Sequence, residues 1–141
     1  MLAITCGLPR SGKTTHAKTY YGSVRVCPDD VRQGLHGEAF IPQAESVVWA
    51  ITEVMVRALL IGAQDVIVDA TNITKAQRAK WVAMAKEFSL RLIIYMIDTP
   101  LNACEERNVG EGAVPAHVLT RMAQQFEPPT EDEGTIIVCE M

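Results

Sequence analysis

The sequence predicts an α/β protein, a parallel sheet with helices on both faces. Three observations carry that expectation. An apolar run, Leu2 to Cys6, leads into a glycine-rich turn and then a helix-like stretch. Further strand-like runs at 23–27, 65–69, 92–97 and 135–139 alternate with helical patterns, the crossover layout that parallel neighbours need. The runs at 65–69 and 92–97 are nearly continuous in apolar character, as strands buried on both faces are.

The 141 residues suffice for one domain with a proper core, read here as a single domain over 1–141. A composition of 48% hydrophobic and 21% charged residues is that of a globular protein. No apolar run approaches a membrane span and the N-terminus lacks a signal-peptide layout, so no membrane partner is expected. Net charge is −4; a general nucleic-acid coat would be basic, so any polynucleotide contact should be local and short. Cys6, Cys27, Cys104 and Cys139 are scattered without a C-x-x-C pair. They read as small apolar residues in a reducing, cytoplasmic setting rather than a zinc site or disulfide frame. His16, His36 and His117 have no metal-ligand spacing and receive no role.

In chain order, the first strand runs into Gly7-Leu8-Pro9-Arg10-Ser11-Gly12-Lys13-Thr14, which fits the phosphate-binding pattern G-x-x-x-x-G-K-[ST]. Gly7 lets the chain turn off the strand, and Gly12 can take a conformation closed to residues with a Cβ. Backbone N–H groups then form an anion nest at the positive end of the following helix, expected over Thr14 to Tyr20. Gly7, Pro9, Arg10, Ser11, Gly12, Lys13, Thr14 and Thr15 are therefore the candidate nucleoside-triphosphate contacts. Lys13 reaches the β- and γ-phosphates, and the Thr14 hydroxyl is a candidate Mg2+ ligand.

After the turn Tyr20-Tyr21-Gly22 comes a strand over Ser23–Cys27. Asp29 or Asp30 then falls at a helix N-terminus, where a carboxylate can cap and is favoured by the dipole, with Arg32 about one turn on. Residues 34–42 read as a loop. The longest helix covers 43–61, with Val47, Ile51, Val54, Met55, Ala58 and Leu59 as its apolar stripe. Asp65–Asp69 is a buried strand closed by an acid. A loop, 70–73, leads to a capping box, Thr74 with Gln77, that opens a helix to about Phe88. Trp81, Met84, Ala85 and Phe88 form its inner face; Lys75, Arg78, Lys80 and Lys86 form a solvated outer face. Leu92–Ile97 is a strand, Asp98 a cap, and Leu101–Arg107 a helix. The segment 107–115 reads as a glycine-rich lid, followed by a helix to about Phe126, an acidic loop and a last strand, Thr135–Cys139.

Ligands of open α/β sheets sit beyond the carboxyl ends of the strands, where Asp29 (or Asp30), Asp69 and Asp98 fall. Asp29 could accept the proton of an attacking hydroxyl, Asp69 is placed like an acid of the magnesium shell, and Arg107 could bring a guanidinium over a transferring phosphoryl group.

G-L-P-R-S-G-K-T at 7–14, D-D-V-R-Q at 29–33, V-I-V-D-A-T-N at 66–72, R-N at 107–108 and A-V-P-A-H-V-L at 113–119 together resemble the 5′-kinase domain of the phage-type polynucleotide kinases. The resemblance spans nearly the whole chain, and the blocks at 29–33 and 66–72 discriminate it from other P-loop families. It implies the P-loop kinase fold with strand order 2-3-1-4-5, and transfer of the ATP γ-phosphate to a nucleic-acid 5′-hydroxyl, DNA or RNA. By position, it implies that Lys13 and Thr14 bind phosphates and magnesium, that Asp29 is the general base, and that Arg32 holds the acceptor's phosphate. It further implies that Asp69, with Thr71 and Asn72, serves the acceptor side and that Arg107 serves the ATP phosphates. The lid is shorter than the family's and holds Gly110 and Glu111 where a further arginine or lysine is usual; Arg10 or Arg121 could substitute. No phosphatase domain is present in this sequence, so a separate phosphatase or ligase is the implied partner. Two other readings stay open: a P-loop kinase of a small hydroxyl compound or hydroxymethylated DNA base, and a nucleotide-binding protein without catalysis.

Overall fold

The computed structural model describes residues 1–140. Five parallel strands form one sheet in the order β2-β3-β1-β4-β5, with β1 Leu2–Cys6, β2 Ser23–Val26, β3 Asp65–Val68, β4 Ile93–Asp98 and β5 Thr135–Glu140. Six α-helices connect them: α1 Lys13–Ala17, α2 Pro28–Leu35, α3 Glu45–Ile61, α4 Lys75–Glu87, α5 Leu101–Arg107 and α6 Ala116–Gln125; a short 3-10 turn, Pro42–Ala44, precedes α3. This is the expected P-loop kinase fold. Because every strand runs the same way, all carboxyl ends share one edge of the sheet.

Central β1 is buried at every residue, between β3 (Ile4 beside Val68) and β4 (Cys6 beside Met96). Side-chain alternation splits the core in two. Leu2, Ile4, Val66, Val68 and Ile94 pack on one face with Val56 and Leu60 of α3 and Trp81, Met84 and Ala85 of α4. Ala3, Ile67, Tyr95 and Ile97 pack on the other with Ala17 of α1. The capping box of α4 forms as expected: Thr74 accepts from the Gln77 N–H and the Gln77 side chain bonds back.

Several boundaries and faces differ from expectation. Helix α1 ends at Ala17, short of Tyr20, and α2 continues to Leu35 through residues expected to be loop. Asp98 does not cap α5: β4 runs through it, and Pro100 holds the cap position without a side-chain hydrogen bond. The buried line of α3 is Val48, Thr52, Val56 and Leu60, one residue round from the expected stripe; Val47, Val54 and Met55 are exposed. Thr52 is tolerated there because its hydroxyl donates to Val48 O at 2.7 Å. Arg78, expected on the solvated face of α4, is 1% exposed and paired to Glu133 at 2.8 Å.

Candidate active site

The phosphate loop forms where β1 ends. Gly7 is required by close approach: a Cβ there would lie 2.8 Å from Ser11 Oγ and 3.1 Å from Ile97 O. Its N–H donates to Thr71 O at 2.9 Å, tying the loop to the turn after β3. Gly12 caps α1 at φ 107°, a backbone closed to most L-residues. Arg10 also holds a left-handed backbone, φ 67°, and its guanidinium reaches the segment 107–115, donating to Glu111 O at 2.8 Å. Ser11 Oγ is buried with no hydrogen-bond partner. Such an orphaned donor in an N–H nest is what an anionic phosphate would satisfy.

Lys13 donates to Leu8 O at 2.6 Å, folded back over the loop. Burial pushes its ammonium down from the ordinary lysine range, against the opposing pull of the Asp69 and Asp29 carboxylates. Thr14 donates its hydroxyl to Asp69 Oδ2 at 2.7 Å. A hydroxyl backed by a carboxylate is an all-oxygen donor set that fits Mg2+, with Thr14 as ligand and Asp69 behind it. When bound, the ion would neutralise charge on the β- and γ-phosphates.

Asp69 lies just past β3 and is 3% exposed. It is fixed by its N–H to Val26 O at 2.8 Å and by Arg25, whose Nε and NH2 reach Asp69 Oδ2 at 2.9 and 2.8 Å. Register explains the contact. Arg25 of β2 stands beside Ile67, and Asp69, two residues on, is on the same face as Ile67. The third N–H group, NH1, holds Asp30 Oδ2 at 2.9 Å. Burial alone would lower the Arg25 guanidinium, but the Asp69 bond and charge hold it above its ordinary value.

Cys27 holds the cap position of α2 without a side-chain bond, so neither Asp29 nor Asp30 is the cap; both lie in the first turn, where the dipole still favours them. They part company there. Both side chains are exposed, but Asp29 is held by Arg32 NH1 at 2.6 Å while Asp30 turns to Arg25. Arg32 also forks onto Glu45, Nε to Oε2 at 2.9 Å and NH2 to Oε1 at 2.6 Å. That pairing holds the Glu45 carboxyl below its ordinary range.

The structure thus gathers Gly7 to Thr14, Asp29, Arg32 and Asp69 at the carboxyl edge of the sheet. Arg107, at the end of α5, reaches the phosphate loop, its NH1 3.4 Å from Arg10 O and from Ser11 O. Asn72 departs from expectation. Its amide donates to Thr5 O at 2.9 Å and it is 2% exposed, so its side chain holds the loop to β1 instead of facing a substrate. Of Thr71, the backbone carbonyl is engaged, by Gly7. Arg25 and Glu45 were missed in the sequence, as was Arg78, whose NH1 donates to Asn72 O at 2.9 Å and braces the Asp69–Asn72 loop from behind. A cation in a short strand that ends beside an acid-closed strand was the available signal for Arg25.

Fold, phosphate loop and acid-bearing strand ends define a P-loop kinase domain. The chain belongs to the AAA domain family AAA_33, matched over residues 2–129. It is 26% identical over 138 residues to L-seryl-tRNA(Sec) kinase of Methanococcus maripaludis, covering 92% of this chain and 53% of that protein. A chain of the Pnkp1/Rnl/Hen1 RNA repair complex superposes with a TM-score of 0.75 at 27% identity, over 88% of this chain and 43% of that one. The chain therefore spans about half the length of these relatives. APS kinase CysC of Mycobacterium tuberculosis, solved with AMPPNP and APS, shares the fold at 18% identity, with a TM-score of 0.65 over 97% of this chain and 87% of that one.

Proposed function

We propose that this domain transfers the γ-phosphoryl group of ATP, with Mg2+, to the 5′-hydroxyl of a polynucleotide end. The observation that carries the reading is the sorting of the carboxylates at the sheet edge. Asp69 is engaged by Thr14 and Arg25 and Asp30 by Arg25, whereas Asp29, paired to Arg32, is the first-turn acid of α2 whose charge acts on Lys13 of the phosphate loop. Asp29 takes the proton of the acceptor hydroxyl as its oxygen bonds to the γ-phosphorus, and the bond to the bridging oxygen breaks to release ADP. Lys13 and Arg107 supply positive charge to the phosphates. Arg32 orients Asp29; its use on an acceptor phosphate requires that phosphate to displace Glu45 or Asp29 from the guanidinium. The likeness to a chain of an RNA repair complex supports a nucleic-acid end as acceptor and another repair enzyme as partner.

One observation favours a second reading, a small hydroxyl acceptor. Around Asp29 the cations Lys13, Arg25 and Arg32 face four acids, Asp29, Asp30, Asp69 and Glu45, so the mouth is not a basic funnel. The test is transfer of labelled γ-phosphate to a short 5′-hydroxyl oligonucleotide, the same oligonucleotide already 5′-phosphorylated, and a free nucleoside. Label on the first alone supports the polynucleotide reading. Label on the nucleoside alone replaces it with the second.

A further inference from the structure

Arg25 holds two carboxylates at once. Two of its N–H groups reach one oxygen of the buried Asp69, at 2.9 and 2.8 Å, and a third reaches Asp30 at 2.9 Å. The oxygen of Asp69 that it grips is also the one that accepts the Thr14 hydroxyl. Arg25 is partly exposed, with 21% of its side chain open, and lines a groove of about 370 Å³ between α2 and α3. Asp29 and Asp30 are sequence neighbours, yet each has its own guanidinium, Arg32 for the first and Arg25 for the second.

We infer that Arg25 is a positioning residue of the transfer site: it locks Asp69 against Thr14 and draws Asp30 aside, so that Asp29 alone meets the acceptor hydroxyl. The inference rests on the assignment of Asp29 as base. Its physical content is charge and geometry. A triphosphate brings several negative charges to a cleft that already holds three aspartates, and Arg25 offsets two of them while fixing where they point. Without it, the buried Asp69 keeps the Thr14 hydroxyl as its side-chain hydrogen-bond partner with only the Lys13 charge nearby, and Asp30 becomes free to turn toward the incoming phosphates.

The test is a set of four proteins: wild type, Arg25→Gln, Asp30→Asn and the double variant. Transfer to the 5′-hydroxyl oligonucleotide is read by steady-state kinetics, and ATP affinity separately by a fluorescent ATP analogue. Arg25→Gln is expected to lower kcat about 30-fold while ATP affinity stays within about 3-fold, because misplaced groups cost rate more than nucleotide binding. Adding Asp30→Asn removes the released charge and is expected to recover about 10-fold in kcat. A kcat unchanged by Arg25→Gln, or a double variant no faster than Arg25→Gln, overturns the inference. Should Arg25→Gln not fold, Arg25→Lys carries the comparison: one ammonium cannot serve both acids, so kcat falls and Asp30→Asn restores it, whereas wild-type kinetics would overturn the role.

A substrate-free arm separates this inference from the acceptor assignment. Arg25→Gln is expected to lower Tm by about 5 °C, and adding Asp69→Asn, which removes the stranded carboxylate, to return most of it. A Tm unmoved by Arg25→Gln overturns the inference whatever the acceptor is. No transfer by wild type to any oligonucleotide overturns the polynucleotide reading instead.

Discussion

Arg32 gives three of its N–H groups to two acids, and that arrangement sets its expected phenotype. Its NH1 holds Asp29 at 2.6 Å and its Nε and NH2 hold Glu45 at 2.9 and 2.6 Å. Arg32→Ala frees Asp29 from its orienting partner without touching the phosphate loop. We expect kcat/KM for the acceptor to fall about 100-fold, with the ATP KM within about 3-fold. Initial rates with each substrate varied in turn check this; equal losses for both substrates would remove Arg32 from the acceptor side. The residues legible in the sequence were those with local signatures. Gly7 to Thr14 form one contiguous motif, and Asp29 and Arg32 lie one helical turn apart. Arg25 was illegible because its partners, Asp69 and Asp30, come to it through the β2–β3 register and the entry of α2, and sequence spacing gives neither. Asn72 was misplaced for a related reason: the loop turns its amide inward at φ 44°, a conformation asparagine tolerates better than most residues.

At the level of elements, α3 and α4 show what periodicity reads well and badly. Helix α4 was recognised from its capping box and inner face, both local patterns. Helix α3 is apolar round most of its circumference, so the pattern does not choose a face, and the polar Thr52 at the centre of the buried line points away from the right one. Arg78 read as solvent-facing because its acid, Glu133, lies 55 residues away in a loop. That pair is buried on both sides and braces the active-site loop through Asn72 O. Glu133→Gln should therefore destabilise by about 3–5 kcal/mol, the cost of leaving one buried charge unpaired. The pair also carries a pH dependence. Burial alone would raise the Glu133 carboxyl, but Arg78 and the Thr130 N–H hold it below its ordinary range in the fold. A depressed carboxyl contributes stability that is complete above the unfolded value of about 4.3 and is lost as pH falls through the folded value. Urea unfolding at pH 7 and in the acid range checks both statements: the difference between wild type and Glu133→Gln should shrink as the pH is lowered, and a difference constant with pH would remove the linkage.

Across the whole molecule, alternation of strands and helices gave the parallel sheet, but the order β2-β3-β1-β4-β5 came from the likeness to polynucleotide kinases, since periodicity does not rank neighbours. That order puts the phosphate loop of β1 between the ends of β3 and β4, and β2 beyond β3. The phosphate loop and the acids after β2 and β3 are thereby brought to one edge of the sheet from distant parts of the chain. In the proposed reaction Asp29 acts as the base at this edge while Asp30 is held aside. The most direct measurement is single-turnover phosphoryl transfer from ATP to a 5′-hydroxyl oligonucleotide by wild type, Asp29→Asn and Asp30→Asn, with ATP affinity measured on the same proteins. We expect Asp29→Asn to lose about 1,000-fold in rate with ATP affinity retained, and Asp30→Asn to lose less than about 10-fold. A deep loss in Asp30→Asn with Asp29→Asn near wild type would overturn the assignment of Asp29 as base.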